Sequence, residues 1–348
     1  AAMRAVTVPD DAPYSTPDAV DAYTNPYWPP APKLYPSTAS EPVDCTYGPV
    51  GPFATTYLDL EVVDGAYDPG ALISVGGSGP NDVWAVGGEQ GKSLALQLNA
   101  GGWKVHDTGI QAMLWWVHVF EGGSVFVAGE RGSLGRYANG QWEVFETGLP
   151  GTVFFGVWGS APDDVWAVGG PDQMAGSDVE KEGDVVLHFD GESWERVYIP
   201  ALDGKGESAA RYLYKVWGTA SDHAVIVGNG TDPLHWDGTT WTPQPSPISG
   251  QPVFTVTGRA ADDMYAVGGI AGTVIRWDGS VWTALDMGEL SWQVPPGIWT
   301  APGQDVYVSG LSGQVARLDC TDGWEVPDPI NGHVMHGIWG DGQGGIYT

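Results

Sequence analysis

Basic residues are the scarcest chemistry in this chain. Only 14 Lys and Arg stand against 43 Asp and Glu among 348 residues, a formal net charge of −29 at pH 7. A field of that sign repels phosphate backbones and anionic headgroups, so nucleic acid and direct membrane insertion are set aside as partners. No apolar run reaches the length of about 18 residues that a membrane-spanning helix needs. No helical period stands out, and no signal peptide is visible; Ala1-Ala2-Met3 reads either as a mature end after cleavage or as a vector remnant. Cysteine is limited to Cys45 and Cys320, which leaves no paired-Cys metal motif. No nucleophile elbow, phosphate loop or His–carboxylate constellation occurs either, and the chain reads as a non-enzyme without a cofactor.

What is abundant is Gly (52), Pro (27) and Trp (18), and these residues are arranged. The stretch Phe154–Trp194 opens with FFGVWGSAPDDVWAVGG and closes with DVVLHFDGESW. The same order returns as VWGTASDHAVIVGNG…LHWDGTTW and as VTGRAADDMYAVGG…VIRWDGSVW. Each copy holds four short β-rich runs separated by turn chemistry: a Pro/Asp cluster, a Gly-Gly stop, and an Asp-Gly dipeptide. Four short strands recurring at a fixed period describe one propeller blade.

Taking one residue of the second strand as a marker gives Trp84, Phe126, Trp166, Ile226, Tyr265, Tyr307 and Tyr347, with steps of 42, 40, 60, 39, 42 and 40 residues. A second marker, the fourth-strand Trp, gives Trp103, Trp142, Trp194, Trp241, Trp282 and Trp324. The expectation is an all-β, seven-bladed β-propeller of four-stranded antiparallel blades over residues 55–348. The seventh copy ends after two strands. Closure is expected from N-terminal strands joining that C-terminal blade, with Thr55–Val63 as its outer strand. Its third strand is left open between Cys45–Phe53 and chain beyond Thr348. On this closure Cys45 passes near Cys320 and the two form a disulfide, which implies an extracellular, periplasmic or cell-surface location.

Residues 1–54 are rich in Pro and Tyr without a period, and read as an extended arm that docks through residues such as Tyr27 and Trp28. The longest inserts, PDQMAGSDVEKEGD and PALDGKGESAARY, follow the second and fourth strands of the third unit. In a propeller these connections emerge on the same face, where loops vary without disturbing the blades. Trp292 falls on that face as well. The opposite face carries only turns of standard length.

With Gly87-Gly88, Gly169-Gly170 and Gly268-Gly269 ending the second strand, then an aromatic-Asp-Gly turn and a Trp, the unit resembles kelch-type repeats. It resembles still more closely the Trp-rich propeller repeats of bacterial secreted proteins. Blade two departs with Ala128-Gly129, blade six with Ser309-Gly310, and blade one lacks the Asp-Gly turn. The resemblance implies a fold, because such rings serve as enzymes, lectins and scaffolds alike.

Fourteen of the 18 Trp occupy repeat positions and read as core, so only Trp28, Trp115, Trp116 and Trp292 are free for ligands. Stacking by Trp115, Trp116 or Trp292 would suit carbohydrate. Asp178, Glu180 and Asp184, with Asp172 nearby, are oxygen donors dense enough to suggest Ca²⁺, although Lys181 sits among them. Arg211 lies at the end of the second insert. His118 and Lys215 are candidates for lining the central channel with an ion or small anion. His333 and His336 point to opposite faces of a strand and are poor joint ligands. The expected role is a binding or assembly module that engages a protein partner through the insert-bearing face and the arm. Carbohydrate recognition is the alternative, and an enzyme with its site over the channel a further one.

Overall fold

The computed structural model describes residues 2–3, 57–58, 70–89, 91–180, 183–199, 202, 211–287, 297–319, 323–326 and 334–348. It contains six four-stranded antiparallel sheets, each built from four strands consecutive in sequence. Their first strands are Ala71–Gly79, Leu114–Val119, Thr152–Ala161, Tyr212–Ala220, Val253–Ala260 and Gly297–Trp299. Each of the first five touches the first strand of the next sheet, so together they form the inner wall around an axis, and the fold is a β-propeller.

The expectation of seven four-stranded blades is corrected to six. The C-terminal unit forms only a two-stranded stub in which Trp339–Gly340 pairs with Ile346–Tyr347. The expected joining of Thr55–Val63 to that unit as its outer strand is not seen among the described residues as one hydrogen-bonded sheet, although Ala2–Met3 contacts Ile346–Tyr347. Leu58 pairs in parallel with Met3, so Leu58 and Tyr347 lie in separate sheets. The reason is that the last unit brings two strands and the N-terminal segment pairs with itself. The stub wedges between blades six and one: a Cβ on Gly340 would strike the Trp299 indole, and one on Gly77 the Trp339 indole. Apart from the short pairs Ala2–Met3 and Tyr57–Leu58, the arm lies outside the described residues, and so do Cys45 and Cys320.

The repeating Trp has a physical reason. The hydrophobic core is a set of layers between blades, and each fourth-strand Trp packs on the blade before its own. Trp142 lies 5.9 Å from Trp84 at 82°, Trp241 lies 5.2 Å from Trp166 at 88°, and Trp194 lies 6.3 Å from Phe126 at 76°. These edge-to-face contacts join wedge to wedge. Trp282 Nε1 donates to Gln244 Oε1 at 3.0 Å and Trp324 Nε1 to the Asp286 carbonyl at 3.1 Å, again across a blade boundary. In blade four the register equivalent of Trp84 and Trp166 is Val225, opposite Trp217, one residue before the expected Ile226.

The glycine that ends the second strand has a reason as well. A Cβ at Gly87, Gly129, Gly169, Gly228 or Gly268 would run into the carbonyl oxygen of Ala71, Met113, Val153, Tyr212 or Pro252 respectively. The inner strand approaches too closely there for any side chain. Blade two's departure is therefore only apparent, since Gly129 itself fills this position. The Asp-Gly turns are structural: Asp190 Oδ1 accepts from the backbone N–H groups of Glu192 and Ser193, Asp237 from Thr239 and Thr240, and Asp278 from Ser280 and Val281. These bonds hold each carboxyl below its ordinary range.

Candidate functional site: the bulged aromatic tier of the axial channel

One residue after that glycine contact, the inner strand slips its register. The shift falls between Leu72 and Ser74, Leu114 and Trp116, Phe154 and Gly156, Leu213 and Lys215, and Val253 and Thr255. Five blades therefore carry a β-bulge at the same place, and the extra residues are Ile73, Trp115, Phe155, Tyr214 and Phe254. A bulge re-aims a side chain without breaking the sheet, and bulges concentrate near functional sites. His336 occupies the matching place in the stub, three residues before Trp339 as Phe155 is before Trp158.

These residues meet one another. The Trp115 ring lies 5.3 Å from Phe155 and 5.8 Å from His336, in both cases edge-on. Phe155 is 5.7 Å from Tyr214, and Tyr214 stacks on Phe254 at 5.6 Å. Tyr212 stacks on Tyr214 at 6.2 Å, and its hydroxyl accepts a 2.7 Å bond from Gln173 Nε2 in the first insert. The insert is thus tied to the aromatic tier. Burial pushes the phenols of Tyr212 and Tyr214 up, further for Tyr214, which keeps both protonated.

Beneath the bulge lies a second tier: Ser74, Trp116, Gly156, Lys215, Thr255 and Gly297. A Cβ on Gly156 would sit 2.8 Å from the Tyr214 carbonyl and 2.9 Å from Lys215 Cα. Its absence lets Lys215 cross blade three. Lys215 is 4 % exposed, donates to the Phe155 carbonyl at 2.5 Å, and places Nζ 4.0 Å from the centroid of the Trp116 ring. Burial lowers its pKa to about 7. His336 is held at about 3 by burial and by the Lys215 charge, opposed by its bond to the Ile73 backbone.

The structure separates the sites anticipated from sequence. Trp115 belongs to the aromatic tier, half-buried, with its indole beside the Glu130 carboxyl. Burial and then the Asp172 charge push that carboxyl up. Trp116 is half-buried between blades two and three, with Lys215 over its ring. Asp172 is buried and caps its own loop, accepting from the N–H groups of Met174 and Ala175 at 2.8 and 3.2 Å. Arg211 is buried and donates to the Leu202 carbonyl. Asp178 and Glu180 are exposed on the insert and Asp184 is half-exposed at its end. Among the described residues no three His, Cys, Asp or Glu gather to hold a metal ion, so the three are not brought together as a Ca²⁺ site. Tyr27, Trp28 and Trp292 lie outside the described residues. His118 does not share the position of Lys215, whose register mate is Trp116. Its ring packs on Phe120 at 4.5 Å and near Trp158 at 6.3 Å, and burial holds it at about 4.

Sequence reasoning passed over Phe155, Tyr212, Tyr214, Phe254, Glu130 and the axial role of His336. The signal that locates the tier is the residue three before the Trp158-type position, opposite a glycine that admits no Cβ.

One Ser–Asp–His set does occur and is structural. Asp164 sits in the middle, accepting from Ser160 Oγ and lying 2.6 Å from His188 Nε2. In blade one Asp82 binds Ser78, Trp84 and Gln97 in the same way, and in blade five Asp263 binds Arg259 and Arg276. A polar clasp of this kind recurs in blades one, three and five with changing partners and fastens strands.

No protein-family model matches the sequence, and no curated protein is similar to it. Solved structures share its shape. The chain is similar to virginiamycin B lyase from Staphylococcus aureus, with TM-score 0.61, 15 % identity, and coverage of 77 % of this chain and 88 % of that one. It is similar to the WD40 β-propeller domain of Doa1, with TM-score 0.58, 12 % identity and coverage of 79 % and 88 %. It is also similar to YCF48 bound to D1 peptide, with TM-score 0.50, 16 % identity and coverage of 71 % and 76 %. The chain is a β-propeller. Identities this low speak for the propeller fold alone; a kelch-like family is not specifically shown, and the neighbours include enzymes.

Proposed function

We propose that this propeller is a non-enzymatic binding module that engages a protein partner on its insert-bearing face, over the bulged aromatic tier. The observation that carries the reading is the set of five bulges at one register position, which place Ile73, Trp115, Phe155, Tyr214 and Phe254 on one tier. These rings also pack blade against blade: Phe155 and Tyr214 are buried in one hydrophobic cluster with Trp115 and Phe254 at its edge. Tyr and Trp supply broad apolar contact with a polar tip, the chemistry enriched at interface centres. The Gln173–Tyr212 bond ties the first insert to this surface, and Met174 is exposed beside it. Among propellers of similar shape, YCF48 has been solved with a peptide bound.

The test removes the rim and leaves the ring. Deleting residues 173–180 and, separately, making Tyr212→Ala should each weaken capture of the native partner at least tenfold while the thermal transition stays cooperative. Unchanged capture by both variants would refute the reading.

A second reading, carbohydrate binding, draws on the same rings, with half-buried Trp115 as the indole. A glycan array with no ligand sensitive to Trp115→Ala would end it. Secretion or surface display is part of the proposal, supported by the net charge of −29 and the presence of just two cysteines. Intact mass under non-reducing conditions tests it, since a Cys45–Cys320 disulfide should appear as a loss of about 2 Da.

A further inference from the structure

The second tier of the channel holds a cation that pairs with no carboxylate among the described residues. An ammonium has three donors. The Phe155 carbonyl takes one and the Trp116 ring faces another, and among the described residues Lys215 forms no ion pair. Burial alone accounts for its titration, so no acidic group registers on it. Yet the chain carries 43 Asp and Glu, any of which would be the usual solution for a buried lysine.

His336, which feels the Lys215 charge, and the groups near these two share its condition. His336 approaches from the stub with Nδ1 buried and unpaired. Ser74 is 3 % exposed with Oγ unpaired, and lines one pocket with His336, Leu72, Met335 and Thr348. Tyr214, beside Lys215 on the same strand, has its hydroxyl buried and unpaired. Blade three offers only Gly156 and a carbonyl, and blade five Thr255. His118 is engaged with the Gly159 backbone, and Glu130 and Asp172 bear on one another at the rim. Buried unpaired polar atoms in a native fold call for a partner; here the Ser74 and Tyr214 hydroxyls can donate, and the Nδ1 of neutral His336 accepts.

We propose that the axial channel binds one small monovalent anion, of carboxylate or halide size, between Lys215, His336 and Ser74. The anion completes the third donor of Lys215 and accepts from Ser74 Oγ, while neutral His336 lines the site. Binding and protonation are then linked: the anion binds the charged ammonium, and affinity falls as pH rises through about 7. The proposal is independent of the partner-binding reading, since Lys215 lies below the face that a partner would touch.

The probes are sodium formate and sodium chloride, titrated into the whole chain while the thermal midpoint is followed. The unmodified chain should show a saturable rise with either salt, about tenfold weaker in apparent affinity at pH 8 than at pH 6, as a single group titrating near 7 requires. Lys215→Met should abolish the saturable rise and keep only the linear salt effect common to both proteins. His336→Phe, which copies the aromatic that blade three carries at this place, should weaken it severalfold. A rise of equal size in Lys215→Met, or no saturable rise in the unmodified chain, overturns the proposal. If Lys215→Met does not fold, the pH arm decides: equal affinity at pH 6 and pH 8 also overturns it.

Discussion

Lys215 Nζ lies 4.0 Å from the Trp116 ring centroid, having crossed the place where a side chain on Gly156 would stand. Three blades meet in that one contact: a lysine from the fourth, a missing side chain in the third and an indole from the second. Each residue is the first after a bulge, so the arrangement depends on the register shift that all three blades share.

The buried cation makes stability depend on pH in a stated direction. The folded pKa of Lys215, about 7, lies below the roughly 10.4 of an unfolded lysine. The unfolded chain therefore binds more protons between those values, and stability contributed by this group should rise from pH 7 to about pH 10, by up to about 1.4 kcal/mol per unit. Denaturant melts across that range should show the slope in the unmodified chain and lose it in Lys215→Met. A slope that persists in the variant would assign it elsewhere.

On the acid side, the two buried histidines act together. His118 at about 4 and His336 at about 3 both lie below the ordinary value of 6.5. Their neutral forms contribute stability that is whole above about pH 6.5 and is lost as pH falls toward 4 and then 3. Equilibrium unfolding from pH 7 to pH 4.5 should show progressive destabilisation that His336→Phe reduces. A flat profile would contradict the burial of both rings.

The glycine opposite the bulge should tolerate no side chain. Gly169→Ala places a methyl against the Val153 carbonyl and the Phe154 backbone. The cost should be about 1–3 kcal/mol or more, with the tier disturbed as well. Gly183→Ala, where a Cβ meets nothing within 4 Å, is the matched control and should be near neutral. Equal midpoints for the two variants would remove the steric account.

Truncating a Trp that joins two blades should be costlier. Trp282 is 3 % exposed and bonded across the boundary to Gln244. Trp282→Ala should destabilise by about 3–5 kcal/mol. Trp103→Ala, at a half-buried copy of the same position, should cost visibly less. Chemical denaturation of the pair checks the order.

Much of this fold was written in the spacing. Trp142, Trp194, Trp241, Trp282 and Trp324 recur because each reaches back to the preceding blade, a contact that demands an indole at a fixed distance along the chain. The number of complete blades was not legible in the same way. A marker such as Tyr347 counts second strands, and it cannot say whether third and fourth strands follow or whether Leu58 pairs with Met3 instead of Tyr347. The channel was half legible: Lys215 was visible as a candidate, but a bulge adds one residue without changing the apolar pattern. Trp115, Phe155 and Tyr214 therefore read as ordinary strand residues until their pairing is known. The backbone partners of Asp172 and Arg211 were not legible for a related reason, since sequence shows an acid or a base but not the backbone groups that it satisfies.

The central claim, that a partner docks on the insert-bearing face, is tested most directly by placing a photo-crosslinking amino acid at Met174, exposed beside the Gln173–Tyr212 bond, and at Gly122 in a standard turn of the opposite face. Irradiated in its native setting, the Met174 protein should yield one discrete adduct that Tyr212→Ala suppresses, while the Gly122 protein yields none. Discrete adducts from Gly122 with none from Met174 would contradict the account.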